Sequence, residues 1–411
     1  MHKRLQRIAW MVVAAAGLLP AVGRPQALPE RVLSRAQAEQ LWLAQGRELR
    51  LARLAVAAAA ADADQAAVRP NPTLSWNAQA IPTSGAPLNR HVDQVLRLDQ
   101  PIERGDKRGL RQRAAQALLE AAHADLRDQR RRGLAALQAA YDELMLAEQR
   151  LQVFRLTDAS HQRSLAAARQ RVQAGDLAQA DLARLTVEAL RAAADTVQAE
   201  ADRQLARSVL ASLLAIEADA PRLVTEGDWP QSAQAADAGP RPDLVSAQRQ
   251  ADAAEARWQL ARAQRVRDVT VGVQLERYPG PGNSGNTVGI GLSVPLFWGD
   301  DQRAQERRAV ADRDTAQAQL DKARAQAETE QAQARSALAA AQQRDASFRG
   351  GLIAAAEQAA QAAEVAYTRG ALSVMELMDA RRTLLSARLD ALQAHADLSR
   401  ALTALRAASN E

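Results

Sequence analysis

The chain has 411 residues, and its 53 Lys and Arg are interspersed with 48 Asp and Glu, so the net charge of +5 leaves no nucleic-acid footprint. Aromatic residues make up only 3%, and the excess of Ala, Gln, Arg and Leu points to long helices and coiled coil rather than ordinary globules. Cysteine is absent, which excludes disulfides, thiolate metal sites and a lipid-bearing N-terminal Cys.

The N-terminus carries Lys3, Arg4 and Arg7, an apolar run from Ile8 to Leu19, and small residues at Ala21-Val22-Gly23. This is the pattern of a secretory signal peptide, 1–27, cleaved after Gly23 or Ala27. Its apolar run is too short to span a membrane as a helix, and no later segment is long enough. An alanine-rich helix is predicted over 34–68, stopped by Pro70 and Pro72. The hydrophobic period then changes from 3.6 to 2. Leu74, Trp76, Ala78 and Ala80 alternate with polar residues in 73–81, and Val92, Leu96 and Leu98 do so in 91–99. Turn residues at 82–87 join these two strands.

Between Gly105 and Gly175 lies a proline-free stretch, about 105 Å if helical. Leu137, Leu144 and Leu151, with Tyr141 between, mark a heptad seam along it. A shorter helix follows over 176–216, with Leu190, Val197, Leu205, Val209 and Leu213 predicted to face inward. The stretch 218–241, with Pro221, Gly227, Pro230, Gly239 and Pro240, reads as an irregular insert.

The pattern then starts again. Asp243-Leu244 answers Glu48-Leu49, Asp268-Val269-Thr270 answers Thr73-Leu74-Ser75, and Gly370 answers Gly175, all at an offset of 195. Pro295 and Gly299 answer Pro101 and Gly105 at 194. One offset held by such different residues is an internal duplication, which divides the chain into 1–27, a first repeat 28–217, the insert 218–241 and a second repeat 242–411. In the second repeat Val269, Val271, Val273 and Leu275, and after the 279–283 loop Val288, Ile290, Leu292, Val294 and Leu296, each form one apolar face. About ten residues with one apolar and one polar face fit a membrane barrel strand, or equally a half-buried strand of a soluble sandwich. Four strands cannot close a barrel, and a membrane sheet tolerates no open edge, so several chains must share one barrel if these strands lie in a membrane. A second proline-free helix is predicted from Gly299 to Gly370. The expected class is therefore mainly α with a small β part: a long helical barrel, a short sheet at one end, glycine turns at the other and an irregular belt halfway.

Over essentially the whole mature length the chain resembles the TolC family of outer-membrane efflux channels. The carrying residues are the duplicated layout, the segment Leu98-Asp99-Gln100-Pro101-Ile102-Glu103-Arg104-Gly105-Asp106-Lys107-Arg108, the Val294-Pro295-Leu296-Phe297 close of the fourth strand, and the glycine turns at Gly175 and Gly370. Within the family, the first of these segments and Asn286-Thr287-Val288-Gly289 are most similar to the CzcC-type branch serving divalent-cation pumps. The resemblance implies a homotrimer in the lipid of the outer membrane, non-lipidated given the absence of cysteine, with a 12-stranded barrel and a periplasmic helical tunnel. It also implies a periplasmic adaptor docking at the tips and an inner-membrane pump beyond it.

Candidate functional residues follow from that alignment of motifs. Glu376 and Asp379, three apart on one helix face, are expected to form carboxylate rings at a tunnel constriction that favours cations. The bland alternative is solvated charges paired with Arg381 or Arg382. The family usually has two aspartates, so Glu376 departs from it. Tyr367 and Asp181 match positions that hold the tip shut; the family's tip arginine is Leu372 here, which leaves Arg369, Arg171 or Arg184 to substitute. Gly175 and Gly370 are expected to supply positive φ in the tip turns, with Leu177 and Leu372 as exposed apolar contacts for an adaptor. The histidines lack ligand spacing and Met375 and Met378 read as packing, so no metal site, cofactor or enzyme chemistry is expected. A periplasmic adaptor or a soluble coiled coil without a pore are the competing readings; the clean apolar face at Val288 to Leu296 speaks against the second.

Overall fold

The computed structural model describes residues 30–79, 81, 92–231, 239–278, 285–299 and 302–409. The signal peptide, the loops at 82–87 and 279–283, and His91 lie outside the described residues. Strand β1 (Arg31–Ser34) leads into helices α1 (Arg35–Gln45) and α2 (Arg47–Ala67), then β2 (Thr73–Gln79), β3 (Asp93–Ile102), α3 (Lys107–Ala174) and α4 (Gln179–Leu214). A 3-10 turn at Glu217–Arg222 and β4 (Leu223–Glu226) connect to the second half. There α5 (Pro242–Ala263) is followed by β5 (Val269–Tyr278), β6 (Gly285–Ser293), α6 (Arg303–Ser347), α7 (Ile353–Thr368) and α8 (Val374–Ser409). The helical class with a small sheet, and the repeat, are as the sequence predicts.

The four long strands form one antiparallel sheet in the order β2-β3-β5-β6, leaving β2 and β6 as its edges. Register sets like against like. Leu74 opposes Leu98, Leu98 opposes Val273, and Val273 opposes Ile290; Trp76, Leu96, Leu275 and Val288 make the next apolar row. All eight side chains are exposed. The alternate rows, Ser75-Arg97-Gln274-Gly289 and Thr73-Asp99-Gly272-Gly291, are polar. Alternation thus gives one mainly apolar and one mainly polar face, the apolar one ending in the polar row Ala78-Gln94-Arg277-Asn286.

Helix α3 is continuous over 68 residues, about 100 Å at the helical rise. Its predicted seam is real: Leu137, Tyr141, Leu144 and Leu151 are all buried. Elsewhere along the bundle the seam is alanine at heptad spacing, as in Ala192, Ala199 and Ala206 of α4 and Ala327, Ala334 and Ala341 of α6. Such small side chains let helix axes approach closely.

Four expectations need correction. The Gly299–Gly370 helix is not one piece, because a π-turn at Phe348–Leu352, with Gly351 at φ 121, separates α6 from α7. The equivalent residues of the first half, Arg155 and Leu156, are plain helix; the difference is the Gly350-Gly351 pair, since only glycine enters that backbone region without strain. The helix over 34–68 is broken at Gly46, whose ψ of 121 is extended. The insert is not irregular throughout: β4 pairs in parallel with β1, Arg31 opposite Leu223 through Ser34 opposite Glu226. Finally, Leu190, Val197, Leu205 and Val209 of α4 do not face inward but are exposed, and alanines take the intrachain seam instead. Leu213 does pack against the core.

That core lies at the belt. Trp42 of α1 and Tyr141 of α3 sit among Leu33, Leu137, Leu210, Leu214 and Leu223, tying both short strands to the bundle. The Tyr141 hydroxyl lies 2.8 Å from the Leu33 carbonyl and 2.7 Å from that of Glu226, and accepts from the Glu226 N–H at 3.0 Å. Glu148 accepts from the Thr225 hydroxyl at 2.6 Å and its N–H at 3.1 Å. Desolvation raises the pKa of Glu148, and likewise that of Asp142, which is held by Arg35 and the Ser399 hydroxyl. Both carboxylates therefore depend on their partners to stay charged.

Candidate functional site

The tip is built twice by the same backbone device. At the end of α3 the Gly175 N–H donates to Val172 and the Asp176 N–H to Arg171, with Gly175 at φ 84. At the end of α7 the Gly370 N–H donates to Tyr367 and the Ala371 N–H to Ala366, with Gly370 at φ 74. Both are Schellman turns, in which positive φ at the first residue past the helix lets two orphan carbonyls find donors. Each turn folds its helix pair onto a small core of Leu165, Leu185, Val374, Leu377 and Met378. Leu177 and Tyr367 pack against that core. Leu177 is therefore half-buried rather than fully exposed, and Leu372 is half-buried as well.

After the turns the two copies diverge in charge. Positions 181 and 184 of the first copy are Asp181 and Arg184, which pair with each other at 3.2 Å. The corresponding second-copy residues are two carboxylates, Glu376 and Asp379. Glu376 closes a capping box on α8: its carboxylate accepts from the Ser373 N–H at 2.9 Å and hydroxyl at 2.7 Å, and its own N–H donates to the Ser373 Oγ at 3.3 Å. The Ser373 N–H, then its hydroxyl, lower the Glu376 pKa. Asp379 is left 67% exposed, with Arg382 3.7 Å away. Of the pair, Asp379 is the freer charge.

Two of the candidate tip arginines, Arg171 and Arg184, meet the expected gate residues Tyr367 and Asp181, while Arg369 does not. Tyr367 lies under Arg171, 5.5 Å from guanidinium to ring centroid, and Asp181 is engaged by Arg184. Arg369 is exposed and makes no ion pair among the described residues. The hydrogen-bonded links between helices at the tip come from α8: Arg381 donates to Ser164 of α3 and Glu364 of α7, both at 2.9 Å, and Arg382 reaches Glu188 of α4 at 2.5 Å. The sequence showed Arg381 and Arg382 only as possible partners of the carboxylates; spacing within α8 carries no signal for contacts to three other helices.

One histidine belongs to this cluster. His161 of α3 is buried with its Nδ1 unpaired. Desolvation, then Arg381, hold its pKa below the ordinary histidine value, with Arg382 acting the same way and Glu188 and Asp158 opposing. As pH falls, the unfolded chain takes up the proton first, near pH 6.5. Tip stability is thus full above about pH 6.5 and declines as pH drops from there towards the depressed folded value. Protection factors of the 160–190 and 370–385 segments, taken relative to the intrinsic exchange rate at each pH, are expected to fall between pH 7 and 5, and His161→Phe to flatten that dependence.

The polar face of the sheet carries its own charged feature. Arg97 and Asp99 of β3 pair at 2.8 Å. They lie over glycines: a Cβ at Gly272 would stand 2.2 Å from an Asp99 carboxylate oxygen, and one at Gly291 3.2 Å from the Arg97 guanidinium. The glycines of β5 and β6 thus make the room this pair occupies. Among the described residues no group of three or more His, Asp or Glu could hold a metal ion, and no helix is long and apolar enough to cross a membrane.

Comparison with known proteins settles the family. The family model described as outer membrane efflux protein matches residues 39–215 and again 234–411. The chain belongs to the outer membrane efflux protein family. The efflux-family chain is 25% identical over 340 residues to the cobalt-zinc-cadmium resistance protein CzcC of Cupriavidus metallidurans, covering 79% of this chain and 77% of that one. Among solved structures, the outer-membrane channel OprN is 26% identical, with a TM-score of 0.78 over 91% of this chain and 89% of that one. The outer membrane protein VceC of Vibrio cholerae shares the fold at 20% identity, with a TM-score of 0.77 over 91% of this chain and 95% of that one. The family and the fold are those of efflux channels, not enzymes, as the residue motifs implied.

Proposed function

We propose that three copies of this chain assemble into an outer-membrane channel that passively conducts substrates delivered by an inner-membrane pump of the RND type and a periplasmic adaptor. The observation that carries this reading is the sheet, apolar across the central rows of one face and open at both edges. In lipid an open edge leaves backbone groups unsatisfied, so β2 of one copy must pair with β6 of the next. Three sheets closing in this way make a 12-stranded barrel with the Arg97–Asp99 face inward. The outward Leu190, Val197, Leu205 and Val209 of α4 then find their cover in a neighbouring copy. The segment 1–27 directs export, the repeats 28–217 and 242–411 each build half of a protomer's wall, and 218–241 forms the belt. The mature protein is non-lipidated and extends into the periplasm.

At the far end the tip turns, with Gly175, Leu177, Gly370 and Leu372, receive the adaptor. Arg381 and Arg382 hold the tip together alongside Tyr367, Asp181 and Arg369, and the tip constriction is lined by Asp379 and Glu376. Divalent metal cations are the proposed cargo class, on the strength of the likeness to CzcC. Single-channel recording in planar bilayers tests the constriction. Asp379→Asn is expected to weaken cation selectivity and block by millimolar divalent cations more than Glu376→Gln, whose main effect is to loosen the capping box at Ser373. Equal, unaltered block in both variants would remove these residues from the constriction.

A further inference from the structure

The connections on the helical side of the sheet carry more arginines than their carboxylates engage. Here β2 begins, β3 ends, β5 begins and β6 ends, so the antiparallel order brings all four junctions to one rim. The carboxylates described at this rim are already engaged: Glu103 by Arg111, Asp106 by Arg113 at 3.0 Å, Asp268 by Lys107 at 2.8 Å and Glu306 by Arg265 at 3.2 Å. Four arginines remain, one or more at each of three junctions. Arg69 precedes β2, Arg104 and Arg108 follow β3, and Arg267 precedes β5. None of the four makes an ion pair among the described residues, and Arg69, Arg104 and Arg267 are exposed.

The same rim holds the last of the apolar face. Ile102 is 47% exposed, Leu296 62% and Trp298 90%, and the Arg267 guanidinium stacks 5.6 Å over the Phe297 ring. A groove of about 820 Å³ opens beside them, lined by Arg69, Asn71, Gln100, Arg108 and Gln112. Indole rings and unpaired guanidinium groups at the boundary of an apolar band are matched to lipid headgroups, the indole by its amphipathic ring and the guanidinium by its fork geometry for phosphate oxygens.

We infer that this rim is a binding collar for the phosphate groups of phospholipids in the leaflet facing the helical body, with Arg69, Arg104, Arg108 and Arg267 as the phosphate ligands and Trp298 as the depth anchor. The inference rests on the membrane-channel reading above. Lipids carrying net negative charge are favoured over zwitterionic ones, since each guanidinium adds attraction that a choline or ethanolamine group offsets. In a trimer the collar is continuous with the apolar belt, so it fixes both the depth and the tilt of the barrel.

Native mass spectrometry of the detergent-extracted full chain, with dioleoyl phosphatidylglycerol or dioleoyl phosphatidylcholine added, tests this. The wild type is expected to retain phosphatidylglycerol over phosphatidylcholine, and Arg69→Gln/Arg108→Gln/Arg267→Gln to lose at least about tenfold of that preference. The corresponding triple change to lysine keeps the charge and most of the retention. Replacing Arg308, Arg313 and Arg324 of α6 by glutamine is expected to leave retention unchanged. Retention by the glutamine triple equal to that of the wild type overturns the collar, as does displacement of the lipid by millimolar inorganic phosphate, which would make the site one for free phosphate. Conductance of the same preparations separates the two readings. Channels that insert but show no arginine-dependent lipid retention refute the collar alone, whereas protein that needs no detergent and retains no lipid refutes the membrane reading beneath it.

Discussion

Trp42→Ala is expected to cost about 3–5 kcal/mol, the usual range for removing a large buried aromatic. Trp42 is 2% exposed and is the side chain on which the belt is assembled. It is keyed into α3 at Gly133, where a Cβ would stand 2.1 Å from the indole Cζ2, and its carbonyl accepts the Gly46 N–H at 2.7 Å, ending α1. The reciprocal change, Gly133→Ala, gains about 1 kcal/mol of helix propensity, but the overlap with a ring that has nowhere to go outweighs it. The double variant discriminates. Because the methyl at 133 fills part of the space the indole leaves, Trp42→Ala/Gly133→Ala is expected to be more stable than the sum of the single changes. Denaturant melts of the detergent-solubilised protein measure the cycle, with hydrogen exchange over β1 and β4 as the local readout. Strict additivity would mean that the two residues are not in contact.

Ile290→Arg is expected to destabilise the assembled barrel by about 2–4 kcal/mol, the cost of a lipid-facing arginine near the membrane midplane. Ile290 is 84% exposed and stands in the row Leu74-Leu98-Val273-Ile290. Thr287→Arg, three residues away on the same strand, is the control. Thr287 opposes Glu276 on the other face, where an arginine gains a cross-strand partner. Heat-modifiable migration on gels is expected to be lost in the first variant and kept in the second. Equal behaviour of the two would mean that neither face meets lipid.

Much of this was readable in the sequence because it is periodic or duplicated. The period-2 rows of β5 and β6, the seam at Leu137, Leu144 and Leu151, and the glycines at 175 and 370 are local signals, and the offset of 195 amplified each by repetition. What escaped was either too short or non-local. Strands β1 and β4 have four residues each, less than the window in which alternation registers, and their partner lies some 190 residues away. The break at Gly350-Gly351 was hidden because two glycines in an alanine-rich helix lower its stability without dictating a π-turn. The inward reading of Leu190 and Val197 failed for a different reason. In a bundle whose intrachain seams are alanine, the larger side chains are left for a surface the single chain does not cover. At the tip, the sequence marked Glu376 and Asp379 as a pair, and only the structure separates the carboxylate that caps α8 from the more exposed one beside Arg382.

The claim that three chains share one barrel is tested most directly by cross-linking its two edges. The chain has no cysteine, so introduced thiols report without background. Ser75→Cys in β2, combined in turn with single cysteines across β6 from Asn286 to Leu292, covers the registers the two edges can adopt. Oxidation in the membrane is expected to give a ladder of covalent dimers and trimers that stops at three for one alternate set of β6 positions. Monomers that never cross-link in any register, or a ladder that runs beyond three, would contradict the shared barrel.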